Sequence, residues 1–78
     1  MFDNFYDYYQ FILSKHNPLF AAEIKVLLNA ALDNYNDGNW IAYIADLRTI
    51  ALYLERTGMK AEARTTMNWI MLLQHGLH

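Results

Sequence analysis

One stretch of the chain carries the residue types of a calcium-binding loop. Asp33, Asp37 and Gly38 have the spacing of the first, fifth and sixth positions of an EF-hand. An EF-hand also needs an oxygen ligand at its third position and a bidentate glutamate at its twelfth, which here are Tyr35 and Ile44. Because asparagine, aspartate and glycine are also the residues that a helix-ending turn requires, this stretch predicts a turn and no calcium site.

The histidines are the other residues that could bind a metal, and they are His16, His75 and His78. A zinc site on a helix favours histidines four residues apart with a third ligand nearby, whereas His75 and His78 are three apart and straddle Gly76. His16 and His75 fall where helices are expected to end, and a partly protonated imidazole there interacts favourably with the helix dipole. We predict no metal site and no cofactor.

The usual catalytic groups are missing or poorly placed. The chain has no cysteine, and Ser14, its one serine, has no glycine-rich elbow around it. Asp3 and Asp7 lie one helical turn apart at an expected helix N-terminus, where acidic residues are common for electrostatic reasons. No glycine-rich phosphate loop is present. The sequence therefore predicts a protein that is not an enzyme and has no catalytic residues.

Glycine, asparagine and proline divide the chain into helices. Asn17 and Pro18 are typical of a helix start, Gly38 and Asn39 of an end followed by a start, and Gly58 of another end. Between them, apolar residues recur every three to four positions, as in amphipathic helices. We predict four helical segments, near 3–15, 18–36, 40–56 and 59–75.

Each segment has one apolar face. In chain order these faces are Phe2, Phe5, Tyr9, Ile12 and His16; Phe20, Ile24, Leu27, Leu28, Ala31 and Tyr35; Trp40, Tyr43, Leu47, Ile50, Ala51 and Leu54; and Met59, Ala63, Thr66, Ile70 and Leu73. Short turns make neighbouring helices antiparallel. The predicted fold is all-α: residues 1–78 form a single domain, a small antiparallel bundle of about four short helices, or two stacked helical hairpins, with Ile24, Leu47 and Ile70 in its core.

The amino-acid composition excludes several classes of protein. The chain is 55% hydrophobic and 15% aromatic, which excludes a disordered tail. Its net charge of −2, from six Lys and Arg against eight Asp and Glu, excludes a strongly basic nucleic-acid binder. No apolar run reaches the roughly 20 residues that span a bilayer, and the N-terminus lacks the basic and apolar regions of a signal peptide. We therefore expect a cytoplasmic protein without membrane contact.

Four basic residues are concentrated in segment 48–64: Arg48, Arg56, Lys60 and Arg64. A helix-turn-helix protein would use such a patch to bind DNA, although Glu55 and Glu62 interrupt it. The other interpretation is a solvated face with local ion pairs. A small dimeric regulator that contacts nucleic acid through these residues remains the alternative function.

Apolar residues also remain outside the predicted core faces. They are predicted to be exposed and to bind a partner, and they are Tyr8, Phe11, Leu19, Val26, Ile41, Leu52, Trp69 and Leu72. Tyr8 and Phe11, with Asn4 and Lys15, are expected to form an outward ridge on the first helix. Met59, Met67 and Met71 add an adaptable apolar surface on the last helix.

These observations favour a small protein-interaction module. Aromatic residues and methionine are enriched at protein–protein interfaces, and a small bundle gains stability when it associates. We expect it to bind and occlude or bridge a protein partner, as a phage- or plasmid-type inhibitor of a host or defence complex does, and to form a homodimer.

Overall fold

The computed structural model describes residues 2–15 and 18–76, and within them every regular element is helical. A 3₁₀ helix, Pro18–Phe20, follows the first of four α-helices, which are α1 (Phe5–Lys15), α2 (Ala21–Asp37), α3 (Trp40–Arg56) and α4 (Lys60–Gly76). The all-α prediction is confirmed. The second segment begins as this 3₁₀ turn instead of an α-helix. The proposed cap Asn17 and the histidines His16 and His78 lie outside the described residues.

Left-handed glycines end two of the helices, as the sequence predicts. Gly38 has a φ of 73° and Gly58 a φ of 88°, values that favour glycine because it has no Cβ. At the first turn, the Gly38 amide donates to the Tyr35 carbonyl and the Asn39 amide to the Asn34 carbonyl. This pairing is a Schellman motif. Asn39 then caps α3, because its side-chain oxygen accepts a hydrogen bond from the Ala42 amide.

Short turns make α2, α3 and α4 antiparallel neighbours with α3 in the middle, and α1 packs on them through its aromatic side chains. α3 packs against both α2 and α4, and the predicted core residues Ile24, Leu47 and Ile70 are all buried. From α1, the Phe5 ring contacts Tyr35 of α2 at 5.8 Å and Tyr43 of α3 at 5.5 Å between centroids. These aromatic contacts close the bundle around one core.

The orientation of α1 shows that two residues predicted to be exposed, Tyr8 and Trp69, are buried. Tyr8 and Trp69 are fully or almost fully buried, and their rings stack on each other at 4.8 Å. The inward face of α1 is Phe5, Tyr8 and Ile12, whereas Tyr9 lies at its edge and donates to the Asn29 side chain. The prediction of an outward Tyr8 ridge is therefore wrong. One stacked pair accounts for both errors, because each ring covers the other.

A buried hydrogen-bond chain explains how a tyrosine fits this position. The Tyr8 and Thr66 hydroxyl oxygens are 2.7 Å apart, and the Thr66 hydroxyl also donates to the Glu62 carbonyl at 2.8 Å. Since Thr66 has a single hydroxyl proton, Tyr8 is the donor in the first bond. Burial raises the pKa of the Tyr8 phenol, with the Thr66 hydrogen bond opposing this shift, so the phenol stays neutral. The polar end of the ring is thereby satisfied inside the core.

Candidate functional site

The other predicted partner-binding residues are exposed or partly exposed. Leu19, Val26, Ile41, Leu52 and Leu72 are more than half exposed, whereas Phe11 is half-buried against the core. These side chains do not form one continuous patch. Leu52 lines a groove between α3 and α4, while Leu72 borders a cavity at the other end of the same helix pair. The groove therefore brings together Leu52, from the predicted apolar surface, and Lys60 and Arg64, from the predicted basic segment.

The α3–α4 groove has a volume of about 430 Å³ and an apolar floor. Ala51 and Ala63 are 3% and 6% exposed and lie at its base, where two small side chains leave a depression between neighbouring helices. Leu52 and Met67 form its walls and remain 56% and 43% exposed. This combination of small residues below and large flexible ones above can receive an apolar side chain from another molecule.

Two further exposed apolar side chains, Ile41 and Met71, lie on the groove faces of α3 and α4. Ile41 and Leu52 lie eleven residues apart on α3 and so share a face, and Met67 and Met71 share a face of α4. All four are large and exposed apolar side chains. Met67 and Met71 belong to the surface that the sequence indicated on the last helix, but Met59 does not, because it is buried. Exposed apolar side chains gathered at one groove are typical of interaction sites.

Cations flank the groove. Lys60 and Arg64 line it together with one acid, Glu55, and Arg48 lies one helical turn before Leu52 on α3. Arg48, Arg56, Lys60 and Arg64 are exposed, and within the described part of the chain no carboxylate oxygen lies within 4.0 Å of their side-chain nitrogens. The local ion pairs of the alternative interpretation are thus not formed in the described residues, and these charges are available to a ligand.

The residues first considered for catalysis have structural roles. The Ser14 hydroxyl donates to the Phe11 carbonyl within α1. Asn4 accepts a hydrogen bond from the Asp7 amide and so caps α1, a role that replaces its expected place on the ridge.

Among the described residues no three His, Cys, Asp or Glu side chains are grouped closely enough to bind a metal ion. No described helix is long and apolar enough to cross a membrane.

Two exposed aromatic residues were not predicted. Trp40 belongs to the apolar face assigned to the third segment, yet 44% of it is exposed, because it lies at the first position of α3, where it packs on the rings of Tyr35 and Tyr43. Tyr6 is 51% exposed and donates to the Asn36 side chain on α2. A position at a helix terminus is the one sequence signal that could have indicated the exposure of Trp40.

The chain matches no protein-family model, no curated protein and no solved structure. Its function is therefore inferred from the geometry described above.

Proposed function

We propose that this protein is a small, non-enzymatic interaction module whose α3–α4 groove receives a helix of a partner protein. The observation that carries this proposal is the groove itself: an apolar floor at Ala51 and Ala63, exposed walls at Leu52 and Met67, and unpaired cations beside them. An amphipathic helix laid into an apolar groove is a common mode of recognition, in which side chains three to four residues apart act as anchors.

The charged residues around the groove determine which kind of partner helix can bind there. Lys60 and Arg64 outnumber the single acid Glu55 at the groove, and Arg48 extends the positive edge along α3. A partner helix with Asp and Glu beside its apolar anchors would pair with these cations, whereas a basic helix would be repelled. Such complementary charges mainly set specificity and the association rate. The partner is therefore a protein that presents an acidic amphipathic helix.

The apolar contacts would supply most of the affinity. Complete burial of a leucine or methionine side chain stabilises by about 1.5–3 kcal/mol relative to an exposed one. Leu52 and Met67 are 56% and 43% exposed, so roughly half of that gain, on the order of 1 kcal/mol each, is available at the groove. Ile41 and Met71 extend the same contact if the partner helix is long enough.

Two designed peptides test this proposal. One is an amphipathic helix with leucine anchors flanked by glutamate, and the other has lysine at every glutamate position. We expect saturable binding of the acidic peptide, measured by fluorescence anisotropy, and at least tenfold weaker binding of the basic one. Leu52→Glu should abolish the interaction, while the matched control Val26→Glu, an exposed apolar site on α2, should leave it unchanged. Equal binding of both peptides, or equal loss in both variants, would contradict the proposal.

The alternative function, contact with nucleic acid, is favoured by the same unpaired cations. Arg48, Arg56, Lys60 and Arg64 are exposed around the α3–α4 turn and could neutralise phosphates. Binding to random duplex DNA that weakens steeply with salt would support this alternative. We expect no such binding, because the net charge is −2 and Glu55 lies among the cations.

The wider role proposed for the protein is to occlude or bridge its partner, in the manner of a phage- or plasmid-type inhibitor, and to do so as a homodimer. The absence of cysteine is compatible with a reducing compartment such as the cytoplasm, which we propose as its location.

A further inference from the structure

The outer face of α2 has the features of the helix that the α3–α4 groove is proposed to bind. Ala22, Val26 and Ala30 recur every four residues and so share one face of α2. All three are exposed, and Val26 is 68% exposed. The opposite face packs in the core through Ile24, Leu28 and Ala31. The outer face therefore presents exposed apolar side chains at the spacing of helix anchors.

Acidic side chains extend this outer face. Asp33 and Asp37 lie one and two helical turns beyond Ala30, and both are exposed. Neither makes a hydrogen bond or an ion pair within the described residues. Glu23 is a third exposed acid, near the start of the helix. Lys25, the one basic residue of α2, lies about a quarter of a turn around the helix from Asp33.

Opposite charges lie on different helices of this chain. α2 holds three Asp and Glu against one Lys, whereas α4 holds Lys60 and Arg64 against Glu62. Acidic and basic residues are equal in number in α1 and in α3. Among the four described α-helices, α2 is therefore the one with a net negative charge, and it complements a groove formed by the other two long helices. Because the outer face of α2 points away from the core, it cannot enter the groove of its own chain.

The spacing of side chains on α2 also matches that of the groove. Val26 and Asp33 are seven residues apart, which is about 10 Å along a helix. Met67 and Lys60, which both line the groove, are also seven residues apart on α4. An α2 helix laid antiparallel to α4 would place Val26 against Met67 and, two turns further on, a carboxylate against Lys60. The apolar and the charged contacts can therefore form in the same register.

We propose that the α3–α4 groove binds α2 of a second copy of this chain, and that two copies do so reciprocally, each α2 lying in the other's groove. This proposal rests on the proposed function, because it names an occupant for the same groove. Val26 would contact the apolar walls of the groove, and Asp33 and Asp37 its cations. A two-fold arrangement fills both grooves and closes the assembly at two molecules, whereas a contact in one direction only would continue into longer chains.

Self-association of this kind regulates access to the groove. Alanine and valine bury less apolar surface than leucine, so α2 binds the groove more weakly than a helix with leucine anchors. At protein concentrations below the dissociation constant of the dimer the groove is free. Above that concentration another partner helix must displace α2, and the second copy is its competitor.

An exchange of charges between two variants tests this contact by sedimentation equilibrium. One variant combines Asp33→Lys and Asp37→Lys, so that a basic α2 meets a basic groove. The other combines Lys60→Glu and Arg64→Glu, so that an acidic α2 meets an acidic groove. Each alone should dimerise at least about tenfold more weakly than the wild type, and an equal mixture should regain the wild-type affinity, because both contacts then join opposite charges. All four positions are exposed, so the far-UV circular dichroism spectra should be unchanged.

Three results of this experiment would overturn the proposal. They are variants that dimerise as the wild type does, a mixture that stays monomeric, and a mass that grows beyond two copies as the concentration rises.

Single variants separate this proposal from the proposed function. Val26→Glu should weaken dimerisation at least about tenfold and leave the affinity for the acidic peptide unchanged below the dimer dissociation constant, whereas Leu52→Glu should remove both. Leu72→Glu, a matched change at an exposed apolar site outside the groove, should alter neither. Peptide binding by a wild-type protein that is monomeric at every concentration would overturn the contact between copies alone. A dimer that survives Val26→Glu would also overturn it, and if the wild type binds no acidic peptide, the proposed function fails as well.

Discussion

Replacing Thr66 with valine removes the hydroxyl that accepts the Tyr8 hydrogen bond while nearly preserving the shape of the side chain. The Tyr8 ring is fully buried, so its hydroxyl would be left without a partner and without water. An unsatisfied buried donor costs about 1–3 kcal/mol. Tyr8→Phe is milder, at about 0.5–1.5 kcal/mol, because Thr66 keeps its bond to the Glu62 carbonyl.

The double variant separates this pair from two independent losses. With both hydroxyls removed no buried donor remains, so Tyr8→Phe in the Thr66→Val background should restore about 1 kcal/mol of stability. Urea unfolding followed by far-UV circular dichroism measures each free energy of unfolding, with a constant m value as the check on two-state behaviour. Thr65→Val is the matched control, because Thr65 makes the same kind of bond to the carbonyl four residues earlier, with no tyrosine partner.

Two results would contradict a coupling between Tyr8 and Thr66. If Thr66→Val costs no more than Thr65→Val, the Tyr8 hydroxyl is not buried against Thr66. If the two single changes add to within about 0.5 kcal/mol, the residues are not coupled. Either result would mean that a buried Tyr8–Thr66 hydrogen bond does not hold α1 on the bundle.

Three further predictions concern the turn, the alkaline limit and the oligomeric state. Gly38→Val should lower the free energy of unfolding by roughly 1 kcal/mol or more through backbone strain alone, because φ is 73° and nothing lies within 4 Å of an added Cβ. The control Asp37→Asn should change stability little, and equal urea midpoints for the two variants would contradict this prediction. Above about pH 10, Tyr8 and Tyr43 ionise in the unfolded chain, whereas burial raises both folded pKa values and keeps both phenols protonated, so stability should fall by about 1.4 kcal/mol per pH unit for each of them. Tyr8→Phe should remove the contribution of Tyr8 and leave that of Tyr43, and pH profiles parallel to that of the wild type would count against this prediction. Sedimentation equilibrium should give twice the monomer mass, and a concentration-independent monomer would exclude the proposed dimer.

The helices and turns follow from local signals that a sequence displays directly. Gly38 and Gly58 end helices because the left-handed conformation suits glycine, and Asn39 caps α3 through its own side chain. The buried faces of α2 and α3 follow from apolar periodicity, which places Ile24 and Leu47 correctly. These features depend on neighbours within one or two turns.

The rotation of α1 could not be obtained in that way. Tyr8 and Tyr9 are chemically identical and adjacent, so periodicity does not decide which one faces inward. The choice depends on Thr66 and Trp69, which lie far along the chain and supply a buried hydroxyl and a stacking ring. Long-range pairing of polar groups leaves no periodic trace in the sequence.

The groove was partly predictable. Leu52, Lys60 and Arg64 were each identified, but in two separate hypotheses, an apolar surface and a basic patch. Their union depends on the packing of α3 against α4 at Ala51 and Ala63, which no single helix reveals.

Site-specific photo-crosslinking tests whether the α3–α4 groove binds an acidic helix of a partner protein. A benzophenone amino acid is placed at position 52 or, as a control, at position 26 in cells that produce the protein, and the crosslinked peptides are identified by mass spectrometry. We predict adducts from position 52 that map to an acidic amphipathic segment, disappear when Lys60→Glu and Arg64→Glu are combined, and are not formed from position 26. Crosslinks to nucleic acid, or the same adducts from both positions, would contradict it.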